Sequence, residues 1–406
     1  MGARLQWPSE GVSRIPYWVY TDPEVYAREQ ERIFAGHSWS YVALDCELPK
    51  PGDFKRTFIG DKPIIVVRDE AGEVHVLENR CAHRGVQLCQ EHLGNRPEFM
   101  CPYHQWTYNL KGELIGVPLR RGIRKQGGMP EDFDPKDHGL SKLRVAIRNG
   151  VVFATFSKEV EAFEDFVGEK MLALFDRVFN GRKLKVLGYQ RQLIPSNWKL
   201  MVENIKDPYH ASLLHVFLVS FGLFRIDQPS KVAMDDSGRH GALINWRGEQ
   251  KLTADNAEMK SLDVSLKLQG TTMLQPEREF EQYTVVMLTL WPNLIVQQQS
   301  NTLAMRQLIT KGPGAFELAW TYFGYEDDSE EMTQRRLRQA NLMGPSGYVS
   351  IDDSEMMASS QQGIAPYPNQ QGVLEMGGRD WGDEPHTVTE SVIRAFWDGY
   401  RKTMDL

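Results

Sequence analysis

The chain has 406 residues, 41% of them apolar and 25% charged, the make-up of a globular protein long enough for two or three domains. Its 47 Lys and Arg against 54 Asp and Glu leave a net charge of -7, which argues against a nucleic-acid reader, whose footprint is basic. No stretch approaches the ~18 consecutive apolar residues of a membrane span, residues 1–13 lack the apolar core of a secretory signal, and four cysteines cannot build a dense disulfide framework, so a cytoplasmic protein with no nucleic-acid or membrane partner is expected.

Residues 1–40 are rich in aromatics and mixed in charge. Residues 23–34 read as a helix, with Asp22 as cap and Pro23 at the first position. From 41 to 155 the pattern changes to short β-branched or aromatic runs at 54–59, 63–68 and 74–78. Gly60-Asp61 and Glu70-Ala71-Gly72 supply turn chemistry between them. Residues 106–110 and 114–117 flank Lys111-Gly112, a further hairpin signal. This part is expected to be a small all-β domain.

Phe163, Phe166, Val167, Leu174, Phe175 and Val178 recur at helical spacing, with Gly181 just past the end. The remainder reads as α+β. Residues 283–290, 294–299, 302–309 and 316–323 resemble consecutive antiparallel strands. Residues 388–404 predict a final helix, opened by a capping box of Thr387 and Glu390. Residues 248–276 are polar and weakly periodic and read as a loop. There is no internal repeat.

Three of the four cysteines fall between positions 81 and 101. Cys81-Ala-His83 is followed, after seventeen residues, by Cys101-Pro-Tyr-His104. Each loop offers one thiolate and one imidazole. Tetrahedral zinc accepts both, but zinc modules usually pair Cys with Cys and His with His. A Cys followed by a His in each loop suits a two-iron cluster, with both Cys on one iron and both His on the other. Two neutral imidazoles in place of thiolates raise the reduction potential. Gly85 and Pro102 permit tight loops around a small inorganic core. Cys46 and Cys89 lie outside the pattern and read as buried or incidental thiols.

A second constellation runs Glu203-Asn-Ile-Lys-Asp207-Pro-Tyr-His210, with His215 five residues on. Five residues are ~140° around an ideal helix, so the two imidazoles share a site only where the helix is distorted or ends. Alone they are as readily two core histidines. A carboxylate from elsewhere would complete a two-His-one-carboxylate set, which leaves open positions on Fe(II). Ile351-Asp352-Asp353-Ser-Glu355, opening a helical run to about Gln361, is the best region for it.

Cys81-x-His83…Cys101-x2-His104, together with Asn204-x2-Asp207-x2-His210-x4-His215, resembles the large (α) subunit of the Rieske non-haem iron ring-hydroxylating oxygenases. The resemblance runs nearly end to end. Residues 78–85, 197–215 and 335–344 also carry it, the last containing Arg338-Gln-Ala-Asn-Leu342. It implies an α+β chain: an N-terminal helical segment (1–40) packing on the catalytic domain, a small all-β Rieske domain (41–155), and a catalytic domain (156–406) whose antiparallel sheet is covered by helices in the helix-grip manner. It implies that Cys81, His83, Cys101 and His104 bind a [2Fe-2S] cluster, and that His210, His215 and Asp353 bind mononuclear Fe(II), with Asp352 the runner-up. Asp207 would join His210 of one subunit to His104 or His83 of its neighbour. A helix cap before Pro208 is the plainer role for it.

The resemblance further implies a trimer with a small β subunit (α3β3), and electrons from NAD(P)H through a reductase and a ferredoxin. Within the family the likeness is greatest to salicylate-hydroxylating members, then to those dihydroxylating terephthalate, with anthranilate and halobenzoate oxygenases also similar. The implied reaction is hydroxylation of an aromatic carboxylate with O2: 5-hydroxylation of salicylate to gentisate, or else cis-dihydroxylation of terephthalate, anthranilate or a related benzoate. Arg306 and Arg394 align with positions that bind substrate carboxylate in that family, a task suited to arginine's planar fork. Glu203, Ile205, Ala211, Leu214 and Val216 flank the ligands and are candidate pocket residues. A pure electron carrier would need only the β domain, and a zinc-stabilised binding protein would need no redox partner.

Overall fold

The computed structural model describes residues 5–124, 126–221, 224, 228–246, 280 and 282–406. The segment 248–276, read above as a loop, lies outside them. The chain divides into two compact units: Phe34–Val160, and the stretch up to Ile33 together with Glu161–Leu406.

The smaller unit is all β apart from short 3-10 turns. Asp53–Ile59, Lys62–Arg68 and Val74–Glu78 form a meander extended by Leu93–Asn95. Ser40–Leu44 pairs with Val151–Thr155, which pairs with Arg144–Arg148. A third, small sheet joins Phe99–Met100, Thr107–Tyr108 and Leu114–Gly116. Its core gathers Phe54, Ile65, Leu77, Phe99 and Tyr108 around the buried Cys81 and Cys101.

In the larger unit, helix α1 (Pro23–Glu29) begins as the sequence predicts: Asp22 accepts from the amides of Glu24 and Val25, and Pro23, which has no N–H, needs no acceptor. It continues as a π-helical turn, Gln30–Phe34. The helix expected around 163–178 is broken at Gly168, whose φ of +77° ends Phe163–Val167 and opens α2 (Glu169–Val178).

A seven-stranded antiparallel sheet forms the centre. Its strands are β1 (Leu184–Ile194), β2 (Ser230–Met234), β3 (Gly241–Asn245), β4 (Val285–Leu290), β5 (Leu294–Gln299), β6 (Thr302–Thr310) and β7 (Phe316–Tyr325), in the spatial order β1-β7-β6-β5-β4-β3-β2. The last four were legible in the sequence and the first three were not.

Four more helices cover the sheet: α3 (Trp198–Lys206), α4 (Glu330–Met343), α5 (Tyr348–Ile364) and α6 (Ser391–Met404). Helix α3 packs against β3, β4 and β6 and touches α5 and α6. Trp198, Trp291, Phe396, Trp397 and Tyr400 form the aromatic core beneath it. The capping box expected for α6 does not form. The helix starts at Ser391, and the Glu390 carboxylate accepts instead from the amide of Met376.

Candidate metal centres and active-site cavity

The two Cys/His loops of the smaller unit are built alike. In the first, the amide of Gly85 donates to Cys81 O and that of Cys81 to Val86 O. In the second, Gln105 donates to Cys101 O and Cys101 to Trp106 O. Each turn needs a left-handed residue four places after its Cys: Gly85 (φ +74°) and Gln105 (φ +57°). The second left-handed position falls on Gln105.

These turns bring the His83 and His104 rings to 4.6 Å and bury both cysteines. Trp106 stacks on His83 at 4.8 Å. His83 Nδ1 is buried without a hydrogen-bond partner among the described residues. An orphaned imidazole nitrogen beside two buried thiols is a donor set that fits a [2Fe-2S] cluster with mixed ligands. Tyr108 accepts from the amide of Ala82 at 3.1 Å, which leaves its hydroxyl proton for Cys81 Sγ at 3.3 Å. Burial pushes Cys89 up to about 11 and Cys46 up to about 12, so neither offers a thiolate at neutral pH.

In the larger unit the five-residue His spacing is resolved by a helix end. His210 precedes the single turn Ala211–Leu214, and His215 follows it in a non-helical conformation (φ -85°, ψ 65°). Helix α5 supplies the carboxylate. Asp353 Oδ1 lies 3.4 Å from His210 Nε2 and 3.3 Å from His215 Nε2. Such separations are edges of a coordination sphere with bonds of about 2.1 Å, so the set fits a divalent first-row metal. Although burial opposes both effects, the two imidazoles hold Asp353 well below the usual carboxylate range, and Asp207 and Asp353 push His210 up to about 10. The centre is therefore an ionised carboxylate with two imidazoles drawn to it, and a cation in the middle satisfies all three.

Asp207 ends α3. Its Oδ1 accepts from the amide of Tyr209 at 2.8 Å, the local cap role, while Oδ2 lies 3.2 Å from His210 Nδ1. Asn204 donates to Asp353 Oδ1 at 3.0 Å. A further trio of possible ligands, Asp69, Glu73 and His75, is already closed: Asp69 accepts from two backbone amides, His75 and Lys111.

The three-residue centre opens into a cavity. One face of the sheet forms its wall. Asn245, Val285 and Gln299 stand in register across β3, β4 and β5, as do Leu243, Met287 and Gln297. Arg306 and Trp320 pair across β6 and β7. The lining is mostly apolar, and Arg306 is the one Lys or Arg among the described residues that line it. Arg306 is buried over the Trp320 ring at 4.3 Å. Its Nη1 donates to Gln297 at 3.3 Å, while Nε has no hydrogen-bond partner among the described residues. Burial lowers it to about 10, so it stays charged at neutral pH.

Residues 38–126 match the family profile of the Rieske [2Fe-2S] domain, and residues 176–405 that of the ring hydroxylating alpha subunit (catalytic domain). The chain belongs to the Rieske ring-hydroxylating oxygenase α-subunit family. The oxygenase is similar to the large oxygenase component of salicylate 5-hydroxylase from Ralstonia sp., at 51% identity over 98% of this chain and 96% of the relative. It is 43% identical to the anthranilate 1,2-dioxygenase large subunit from Burkholderia cepacia (98% and 95% covered). It is 41% identical to the terminal oxygenase component subunit alpha 2 of terephthalate 1,2-dioxygenase from Comamonas sp. (98% and 97%). Its fold matches naphthalene 1,2-dioxygenase from Rhodococcus sp. bound to indole, with a TM-score of 0.80 at 25% identity and 96% and 94% of the two chains covered. The family's cofactors are a Rieske cluster and a mononuclear iron. No described helix is long and apolar enough to cross a membrane.

One expectation for the oxygenase's substrate residues is corrected. Arg394 does not line the cavity. Its Nε donates to Asp380 O and its Nη1 to the carbonyls of Leu374 and Met376, so it ties the 374–380 segment to α6. Of the flanking candidates, Ile205 and Ala211 line the cavity. Glu203, Leu214 and Val216 do not. Glu203 is buried between Tyr20 and Trp397, and burial raises it to about 7. The residue reading missed Gln297 and Trp320, because their place beside Arg306 depends on strand register that sequence spacing does not carry.

Proposed function

We propose that the chain is the large subunit of a terminal oxygenase that hydroxylates an aromatic carboxylate, first of all salicylate at carbon 5 to give gentisate. The observation that carries this reading is a largely apolar cavity in which Arg306 is the one buried guanidinium among the described lining residues, together with a two-His-one-carboxylate centre. Arginine receives a carboxylate with two parallel bonds, Gln297 orients it, and the flat apolar walls accept the ring. When bound, the iron supplies the oxidising power. His210, His215 and Asp353 would hold it, and Cys81, His83, Cys101 and His104 would hold the cluster.

One cation among the described lining residues suits one carboxylate. This favours salicylate, or anthranilate under dihydroxylation, over terephthalate, whose second carboxylate would lie against apolar wall. The names of the relatives support the same class. Asp207 would carry the link between His210 and a cluster histidine of the neighbouring subunit in a trimer, with a small β subunit, a ferredoxin and a reductase as partners in the cytoplasm.

Single turnover tests the reading. Reduced, iron-loaded protein with its small subunit is exposed to O2 and offered salicylate, anthranilate and terephthalate separately. Gentisate from salicylate is expected. Catechol from anthranilate, or a cis-diol from terephthalate, with no gentisate, would move the chain to the dioxygenase reading and leave the metal residues in place.

A further inference from the structure

Each imidazole of the two-His-one-carboxylate centre has a second nitrogen, and each of these meets a carboxylate. His210 Nδ1 lies 3.2 Å from Asp207. His215 Nδ1 lies 3.3 Å from Asp352 Oδ2. We propose that Asp352 is a positioning residue of the metal centre: it accepts the Nδ1 proton of His215, and so fixes the tautomer and ring plane that present Nε2 to the metal.

Asp352 and Asp353 are neighbours on α5, so their side chains leave the helix ~100° apart. His215 sits between them, with Asp353 Oδ1 3.3 Å from Nε2 and Asp352 Oδ2 3.3 Å from Nδ1. The two carboxylates grip one ring by its two ends. Asp353, with its side chain 9% exposed, faces the centre. Asp352, at 31%, stands behind the ring. Among the described residues the Asp352 carboxylate has no other hydrogen bond or ion pair, so its removal leaves the fold little disturbed. A neutral imidazole has one proton for two nitrogens. A carboxylate that takes it at Nδ1 leaves the Nε2 lone pair for the metal and makes it more basic.

The inference rests on the ligand reading given under the proposed function, and the test separates the two. The full chain is purified with its cluster, stripped of mononuclear metal, and titrated with Fe(II) against a competing chelator. Asp352→Ala is expected to weaken Fe(II) binding about 10–100-fold and to alter the electron-paramagnetic-resonance spectrum of the Fe(II)–nitric oxide adduct, with the cluster's visible spectrum and the metal-free melting temperature unchanged. Asp352→Asn should recover most of the affinity, because its amide oxygen still accepts the Nδ1 proton. Unchanged Fe(II) affinity in Asp352→Ala, alongside loss in Asp353→Ala, would overturn the positioning role and keep the ligand set. Retention in Asp353→Ala, with complete loss in both Asp352 variants, would overturn both.

Discussion

Arg306 holds a positive charge in a wall of apolar and amide side chains, with one guanidinium nitrogen unpaired among the described residues. A buried donor left unpaired costs about 1–3 kcal/mol, more when charged. A carboxylate that enters the cavity cancels that cost, and this makes the residue a recogniser of anions. A charged hydrogen bond contributes about 1.5–3 kcal/mol. Arg306→Gln is therefore expected to raise KM for the aromatic acid roughly 10–100-fold, with a smaller fall in kcat. Steady-state kinetics would check it, and an unchanged KM would remove Arg306 from carboxylate recognition. Arg306 and Arg394 looked equal in the sequence. What separates them is the company each keeps: the cavity for one, three backbone carbonyls for the other. That is long-range information. The candidate cluster residues could be picked out because each Cys and its His share one short turn. Their surroundings were not. Tyr108 arrives from a neighbouring strand with a proton for Cys81 Sγ. Hydrogen bonds to cluster sulfur favour the reduced, more negative state. Tyr108→Phe should thus lower the cluster's reduction potential with the visible spectrum kept, as read by a redox titration.

Helix α3 joins the two ends of the larger unit to the metal centre. Asn197 caps it: its carbonyl accepts from the amide of Lys199, and its amide reaches Tyr20 O and Pro313 O. Along the helix, Lys199 is paired with Glu29 at 2.6 Å, entirely buried. Lys206 is also buried, yet its Nζ has no hydrogen-bond partner among the described residues, and burial lowers it from 10.5 to about 7. The sign of its effect follows. Below pH 7 both folded and unfolded chains hold the proton, and the folded one bears the full cost of a buried charge. Between about 7 and 10.5 the unfolded chain binds more protons, so this term makes the fold more stable as pH rises. Lys206→Met is expected to raise the melting temperature most near pH 6.5. The gain should shrink as the pH approaches 9, and thermal melts at the two pH values would show it. A gain that grows with pH would contradict the assignment. The sequence marked this stretch only by its family resemblance, and nothing local distinguished Lys199 from Lys206. Their difference lies in Glu29, 170 residues away from Lys199. Likewise β1 escaped the reading, its partner strand β7 lying far along the chain.

At the scale of the whole molecule, the question is how electrons reach the mononuclear centre. The proposed trimer places the cluster of one chain beside the iron of the next, with Asp207 between. This arrangement makes a prediction that no single chain could satisfy. A cluster-dead variant, Cys101→Ser, and an iron-dead variant, Asp353→Ala, are each expected to be inactive as homotrimers. When the two are coexpressed, some mixed trimers hold an intact cluster next to an intact iron. Activity should return to a fraction of the parent level, and it should scale with the share of mixed trimers isolated by two affinity tags. Transfer within one chain predicts no recovery at any mixing ratio, because no chain then carries both centres. Adding Asp207→Ala to the iron-competent chain should abolish the recovery while both metals stay bound, since that chain's His210 is the one to be linked. Recovery that survives the added substitution would leave the route between subunits intact and assign it to other residues.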